Sequence, residues 1–153
     1  MKKVFVSLAL IVMVLAITSC QSSDDFVVVN RSDAPIEVVY VFLRSSSGYI
    51  NVEEPRLMET SKLKDVDRRW EPAPRDQYLI DPQAGRVAVQ LAPGKALRLN
   101  GTTNYREESA DADARFGISS LSLTGAKGSI RLEGRQARML FKYEEKYHVL
   151  NYE

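Results

Sequence analysis

Hydrophobic and polar positions alternate along most of this chain in short runs, and the runs are those of β-strands. Phe26-Val-Val-Val29 and Ile36-Glu-Val-Val-Tyr-Val-Phe-Leu43 are rich in β-branched and aromatic residues, and Asn30-Arg-Ser-Asp-Ala-Pro35 separates them. Further strands are expected at Tyr78–Ile80, Arg86–Leu91, Ala96–Asn100, Gly117–Leu123, Gly128–Glu133, Ala137–Tyr143 and Tyr147–Tyr152. Many short strands with turn signals between them predict an all-β domain, an antiparallel two-sheet sandwich. Between Glu53 and Pro82 the pattern breaks into a long polar insertion carrying Pro55, Pro72, Pro74 and Pro82. Within it Leu63, Val66 and Trp70 recur at helical spacing, which predicts one short helix from about Arg56 to Arg69, ended by Pro72. A second polar stretch, Tyr105 to Arg115, is expected to be a loop or one to two helical turns.

Turn chemistry refines the topology. Ala92-Pro93-Gly94-Lys95 suits a type II turn, with Pro second and Gly third. A tight hairpin there would oppose Val89 to Arg98 and Gln90 to Leu97, mixing apolar and polar residues on both faces. The connection is therefore expected to carry the chain from one sheet to the other. At the level of fold class this arrangement resembles immunoglobulin-like domains, although their Cys–Trp–Cys signature is absent. Gly125-Ala-Lys-Gly128 reads as a hairpin turn and lacks phosphate-loop spacing.

In the C-terminal third, Gly134-Arg135 fits a type II′ hairpin. That register sets Leu132 against Ala137 and Ile130 against Met139 in the core. Outside, it opposes Arg131 to Arg138 and Lys127 to Lys142, and like charges directly opposed are destabilising by about 0.2–1 kcal/mol each. A second hairpin at Glu144-Glu145-Lys146, with Tyr143 opposite Tyr147, pairs Phe141 with Val149 in the core. The outward face then carries Arg131, Arg138, Leu140, Lys142, His148, Leu150 and Tyr152. This basic, aromatic and aliphatic mixture is the candidate partner-binding surface. The alternative is a solvated face, or one covered by the Glu53–Pro82 segment and neutralised by Asp65, Asp67, Glu71 and Asp76.

The first twenty residues have a different character. Met1-Lys2-Lys3 is a basic start, Val4 to Ala16 an apolar run, and Ile17-Thr18-Ser19-Cys20 a small-residue site ending in the single cysteine. An apolar run of about 13 residues falls short of the roughly 20 that span a bilayer and fits a signal h-region. This segment resembles a bacterial lipoprotein signal peptide, and Ile17-Thr18-Ser19-Cys20 is similar to a lipobox. The resemblance implies removal of residues 1–19 and lipid attachment at Cys20, with stable anchoring once two or more acyl chains are present. Gln21 stands where inner-membrane retention signals often have Asp, so the outer membrane, periplasmic side, is the expected location in a Gram-negative host. Residues 20–25 would form the lipidated cysteine and a short tether of roughly 20 Å at most, and 26–153 a single domain.

Composition narrows the chemistry. The whole chain carries a formal charge of +1, and loss of Lys2 and Lys3 leaves −1, unlike the strongly basic domains of nucleic-acid binders. A lipidated Cys20 leaves no disulfide, thiol nucleophile or cysteine metal site, and His148 is the only histidine. Asp65-Val-Asp67 and Asp111-Ala-Asp113 do not continue into a calcium loop. Gly117-Ile-Ser-Ser-Leu121 lacks the second glycine of a nucleophile elbow. No catalytic set, metal or cofactor is expected. The leading expectation is a non-catalytic binding or assembly module beside the membrane, engaging an envelope protein, a glycan or a lipid head group. The alternatives are a carboxylate-dependent cell-wall glycan hydrolase, using acids such as Glu53, Glu54, Glu107 or Glu108, and an inhibitor of another enzyme.

Overall fold

A computed structural model describes residues 23–45, 48, 50, 52–65, 69–144 and 146–153. The leader, Cys20, and the Val66 and Asp67 of the insertion lie outside the described residues. Among these residues eleven strands form two sheets, as the alternating pattern predicts. The strands are β1 (Ser23–Asn30), β2 (Ile36–Phe42), β3 (Arg56–Glu59), β4 (Glu71–Pro72), β5 (Tyr78–Asp81), β6 (Arg86–Leu91), β7 (Lys95–Thr103), β8 (Ile118–Gly125), β9 (Gly128–Glu133), β10 (Lys142–Glu144) and β11 (Tyr147–Tyr152). One sheet has the order β10-β11-β1-β7-β3-β4, the other β5-β6-β2-β8-β9. Two short helices, α1 (Ala112–Phe116) and α2 (Gly134–Met139), complete the described elements of regular structure together with two 3-10 turns, Thr60–Lys64 and Arg75–Gln77.

The Pro93-Gly94 connection behaves as its residues require. Gly94 takes φ 71°, the left-handed value demanded at the third position of a type II turn, and the Lys95 amide donates to the Ala92 carbonyl at 3.3 Å. β6 and β7 belong to different sheets. The Gly125–Gly128 hairpin also forms, with the two glycines paired at its end.

The two-sheet sandwich is antiparallel as expected but for one pair among the described strands: β1 and β11 run parallel, from Asp25 opposite Tyr147 to Asn30 opposite Tyr152. Two finer expectations are corrected. The insertion does not begin with an α-helix. Its first residues add β3 to the edge of β7, and a 3-10 turn follows. Nor is Ala137–Tyr143 one strand: only Lys142 and Tyr143 are extended, at the start of β10. Gln136, Ala137, Arg138 and Met139 are good helix formers, and they wind into α2, which removes the Arg131–Arg138 and Lys127–Lys142 clashes of the expected hairpin.

Burial shows why β1 reads as an uninterrupted apolar run. Phe26, Val27, Val28 and Val29 are all fully buried, whereas β2 alternates buried and half-buried positions. Phe26 and Val28 face the main core between the sheets, with Tyr40, Leu91, Leu97, Phe116 and Leu121. Val27 and Val29 face the other way, into a second cluster with Met58, Leu63, Ala96, Tyr147, Val149 and Trp70. The insertion thus lies as a third layer over the outer face of the β1 sheet. A strand covered on both faces needs apolar residues at every position.

The far ends of the two sheets are tied by Asn30, which is fully buried. Its amide donates to the Ala34 and Leu91 carbonyls, both at 2.9 Å, and its side-chain oxygen accepts from the Ser32 amide and hydroxyl. Every polar group of the side chain is satisfied, as a buried amide requires.

Candidate functional site

The titratable side chains gather at the end of the sandwich where β1 begins. Asp24 and Asp25, expected in the short tether, are instead buried residues of β1. Asp25 Oδ1 accepts from Arg98 Nε at 2.9 Å. Asp24 Oδ2 accepts from the Tyr105 backbone amide at 2.9 Å, and its other oxygen stands 4.0 Å from His148 Nε2. The His148 ring stacks on Phe26, with centroids 4.7 Å apart and planes at 22°, meets Tyr105 edge-on and lies tilted against Tyr143. Burial pushes the His148 pKa below its ordinary value, and the Asp24 and Glu107 carboxylates oppose that shift only in part.

Arg138 occupies the adjoining position and is itself buried, at 8 % exposure. Its Nε donates to Asp113 Oδ1 at 2.6 Å and its Nη1 to the Tyr105 hydroxyl at 3.0 Å. Burial works against the charged guanidinium, but the hydrogen bonds to Asp113 and Tyr105 outweigh it and leave its pKa raised. One step along, Asp111 accepts from the Ser109 hydroxyl and, at 2.7 Å, from Arg115 Nε. Those two hydrogen bonds lower its pKa. The Asp111-Ala-Asp113 pair therefore serves two separate arginines on and beside α1 and α2, which is a structural use of both carboxylates.

The seven residues expected on one outward face are not brought together. Tyr143 lies opposite His148 and Lys142 opposite Val149, a slip of one residue from the expected pairing, and a slip of one exchanges the two faces of a strand. His148 consequently turns inward, and Leu150 and Tyr152 pack against the main core. The Tyr152 hydroxyl is buried against Gly125 without a hydrogen-bond partner among the described residues. Arg138 is enclosed on α2, while Arg131 stands on the edge strand β9, paired with Glu133 at 3.0 Å. Only Leu140 and Lys142 stay exposed and close in sequence. Arg138 is neutralised by Asp113 and not by the insertion's acids.

The insertion itself creates two clefts that sequence reasoning did not locate. One, of about 250 Å³, is bounded by Leu57, Met58, Lys62, Arg69, Pro72 and Lys95. The other, of about 270 Å³, opens between the 3-10 turn and β11. Its apolar floor is Leu63, Tyr147 and Val149, and its rim is Arg31, Thr60, Ser61, Lys64 and Glu144. The floor belongs to the second apolar cluster. The signal that announces it is Phe26-Val-Val-Val29, since a strand apolar on both sides requires a cover. Comparison of the chain with protein-family models, with curated proteins and with solved structures finds no match.

Proposed function

We propose that the protein is a lipid-anchored envelope lipoprotein, attached through Cys20, whose β-sandwich holds an envelope protein by non-covalent contact. The observation that carries this reading is the cleft between the insertion and β11. It combines an apolar floor with a rim of hydroxyls and both signs of charge, the make-up of a small protein-recognition site with a buried anchor and a polar border. Its volume suits one or two side chains of a partner. Histidine and the aspartates at the β1 end are meanwhile engaged in packing and ion pairs that hold the sandwich together, which supports a binding role over a hydrolytic one.

The test is in-cell photo-crosslinking from Ser61, on the rim, in the full lipidated chain. A discrete protein adduct is expected, and Thr60→Trp, which fills the cleft, should remove it while circular dichroism stays unchanged. An adduct indifferent to Thr60→Trp would place recognition elsewhere. Incorporation of labelled fatty acid, abolished by Cys20→Ser, checks the anchor independently.

A further inference from the structure

Each sheet ends in two edge strands, β10 and β4 in one, β5 and β9 in the other. Three of these edges are short. β4 has two residues and contains Pro72, β10 has three, and β5 has four and runs into Pro82. β9 has six residues, Gly128–Glu133, with no proline, and it pairs with β8 without a bulge. Sheets shield their edges by shortness, prolines, bulges or inward-pointing charges, and a longer edge without them is a template for another strand. All of β9 is exposed except Leu132, which is half-buried.

The partners across β8 define the two sides of this edge. Ile130 lies opposite Leu123 and Leu132 opposite Leu121, both core residues, so the inner side is apolar, and Ile130 is still 44 % exposed there. Ser129, Arg131 and Glu133 lie opposite Thr124, Ser122 and Ser120 on the outer side, where the Ser129 and Thr124 hydroxyls stand 2.9 Å apart. The two-residue turn Ala126-Lys127 closes on the pair Gly125–Gly128, so the bonds to β8 leave from Gly128, Ile130 and Leu132. The amides and carbonyls of Ser129 and Arg131 therefore point away from β8, and nothing among the described residues meets them. The helix α2, which follows, turns back with Ala137 into the main core and leaves the edge open.

We infer that β9 pairs antiparallel with β9 of a second copy of this chain, about a two-fold axis at Ile130. Outward-bonding residues must meet outward-bonding residues, so the axis falls on 129, 130, 131 or 132. At 131 it opposes Arg131 to the partner's Arg131, and at 129 it opposes Arg131 to the partner's Lys127; like charges so placed are destabilising. At 132 only three residues pair before α2 begins. At 130 both sides are self-complementary. On the inner side Ile130 meets the partner's Ile130, and Leu132 meets the partner's Gly128, where a Cβ would find nothing within 4 Å. On the outer side Arg131 meets the partner's Ser129, and Glu133 falls opposite the turn that carries the partner's Lys127. The two five-stranded sheets become one continuous sheet, and the free groups of Ser129 and Arg131 are satisfied. This surface lies on the sheet that does not contain β11, apart from the cleft described above.

The experiment traps the pair in the full chain by disulfide formation. Ile130→Cys, Arg131→Cys, Leu132→Cys and Leu79→Cys are made singly; Leu79, exposed on the β5 edge, reports random collision, and the unsubstituted chain reports any background from Cys20. Directly opposed residues of an antiparallel pair stand within disulfide reach of each other. The expected result is a disulfide dimer that forms several-fold faster at 130 than at 131, 132 or 79, and a mixed dimer between Ser129→Cys and Arg131→Cys proteins. Equal rates at 130 and 79 would overturn the proposal, and so would fastest trapping at 131 or 132. Sedimentation equilibrium in mild detergent, from micromolar to near-millimolar protein, supplies the second measurement. Reversible dimers are expected, lost in Ile130→Lys, weakened several-fold in Glu133→Lys and restored when Lys127→Glu is added to Glu133→Lys. A single-chain mass throughout, or dimers indifferent to Ile130→Lys, would overturn the pairing. The unfolding midpoint of each variant checks that it is folded.

Discussion

His148 illustrates how a single side chain can be placed by its neighbours against its own preference. Its ring is sandwiched by Phe26, Tyr105 and Tyr143, and only 14 % of the side chain reaches water. Burial holds its pKa below the ordinary value of about 6.5 despite Asp24 nearby. The folded state therefore binds a proton less readily than the unfolded state, so stability from the neutral ring is complete above about pH 6.5 and declines as pH falls through that value. The unfolding midpoint should drop between pH 7.5 and pH 5.5, with a shallower slope in His148→Gln. Equal slopes would show that the ring titrates freely in the fold. Asp111 acts further toward acid, because its lowered pKa confers stability that is lost only as pH falls below its ordinary value of about 3.8. At this scale, the sequence identifies His148 as a lone histidine on a strand but not the face it takes, which a one-residue slip reversed.

Among the elements, the insertion has the largest consequence. Its Leu63 and Trp70, spaced for a helix in the sequence, instead cap the outer face of the β1 sheet from a 3-10 turn and the segment after it. Trp70 meets the Tyr147 ring edge-on at 5.9 Å. Truncation of Leu63, 9 % exposed, removes the centre of that cover. Leu63→Ala should lower stability by about 2 kcal/mol, measured by urea unfolding, and enlarge the cleft floored by Tyr147 and Val149. A loss below about 0.5 kcal/mol would mean the third layer contributes little to the fold. The helical spacing misled because Leu63 reaches that surface from a 3-10 turn and Trp70 from just before β4, and Pro55, Pro72 and Pro74 limit how far regular structure extends. α2 shows the converse. The opposed arginines and lysines of the hairpin expected at Gly134 were a conflict between local pattern and charge, and the chain resolves it by winding into a helix.

Across the whole molecule, the first and last strands close the structure together. β1 lies between β11, in parallel, and β7, in antiparallel pairing, so the first and last described strands belong to one sheet. A chain ending at Lys146 would leave one edge of β1 unpaired and strip Tyr147 and Val149 from the second cluster. Such a truncation should lose cooperative unfolding and protease resistance altogether. An unchanged thermal transition would show that the parallel pair is peripheral.

Much of this architecture follows from the chain read by itself. The period-two alternation in Ile36–Phe42, the glycines at 125 and 128, and the Pro93-Gly94 turn are local features whose physics needs few distant partners. The mismatch of Val89 with Arg98 was enough to separate β6 and β7 into two sheets, because a buried face does not tolerate it. The Ile17–Cys20 motif is likewise local and carries the expected address. What the tertiary structure alone decided are the parallel β1–β11 pair, the face taken by His148, the burial of Arg138 and the cleft beneath the insertion. Each depends on residues far apart in sequence meeting in space. Their free energy comes from packing and ion pairing between elements, which no run of neighbouring residues encodes.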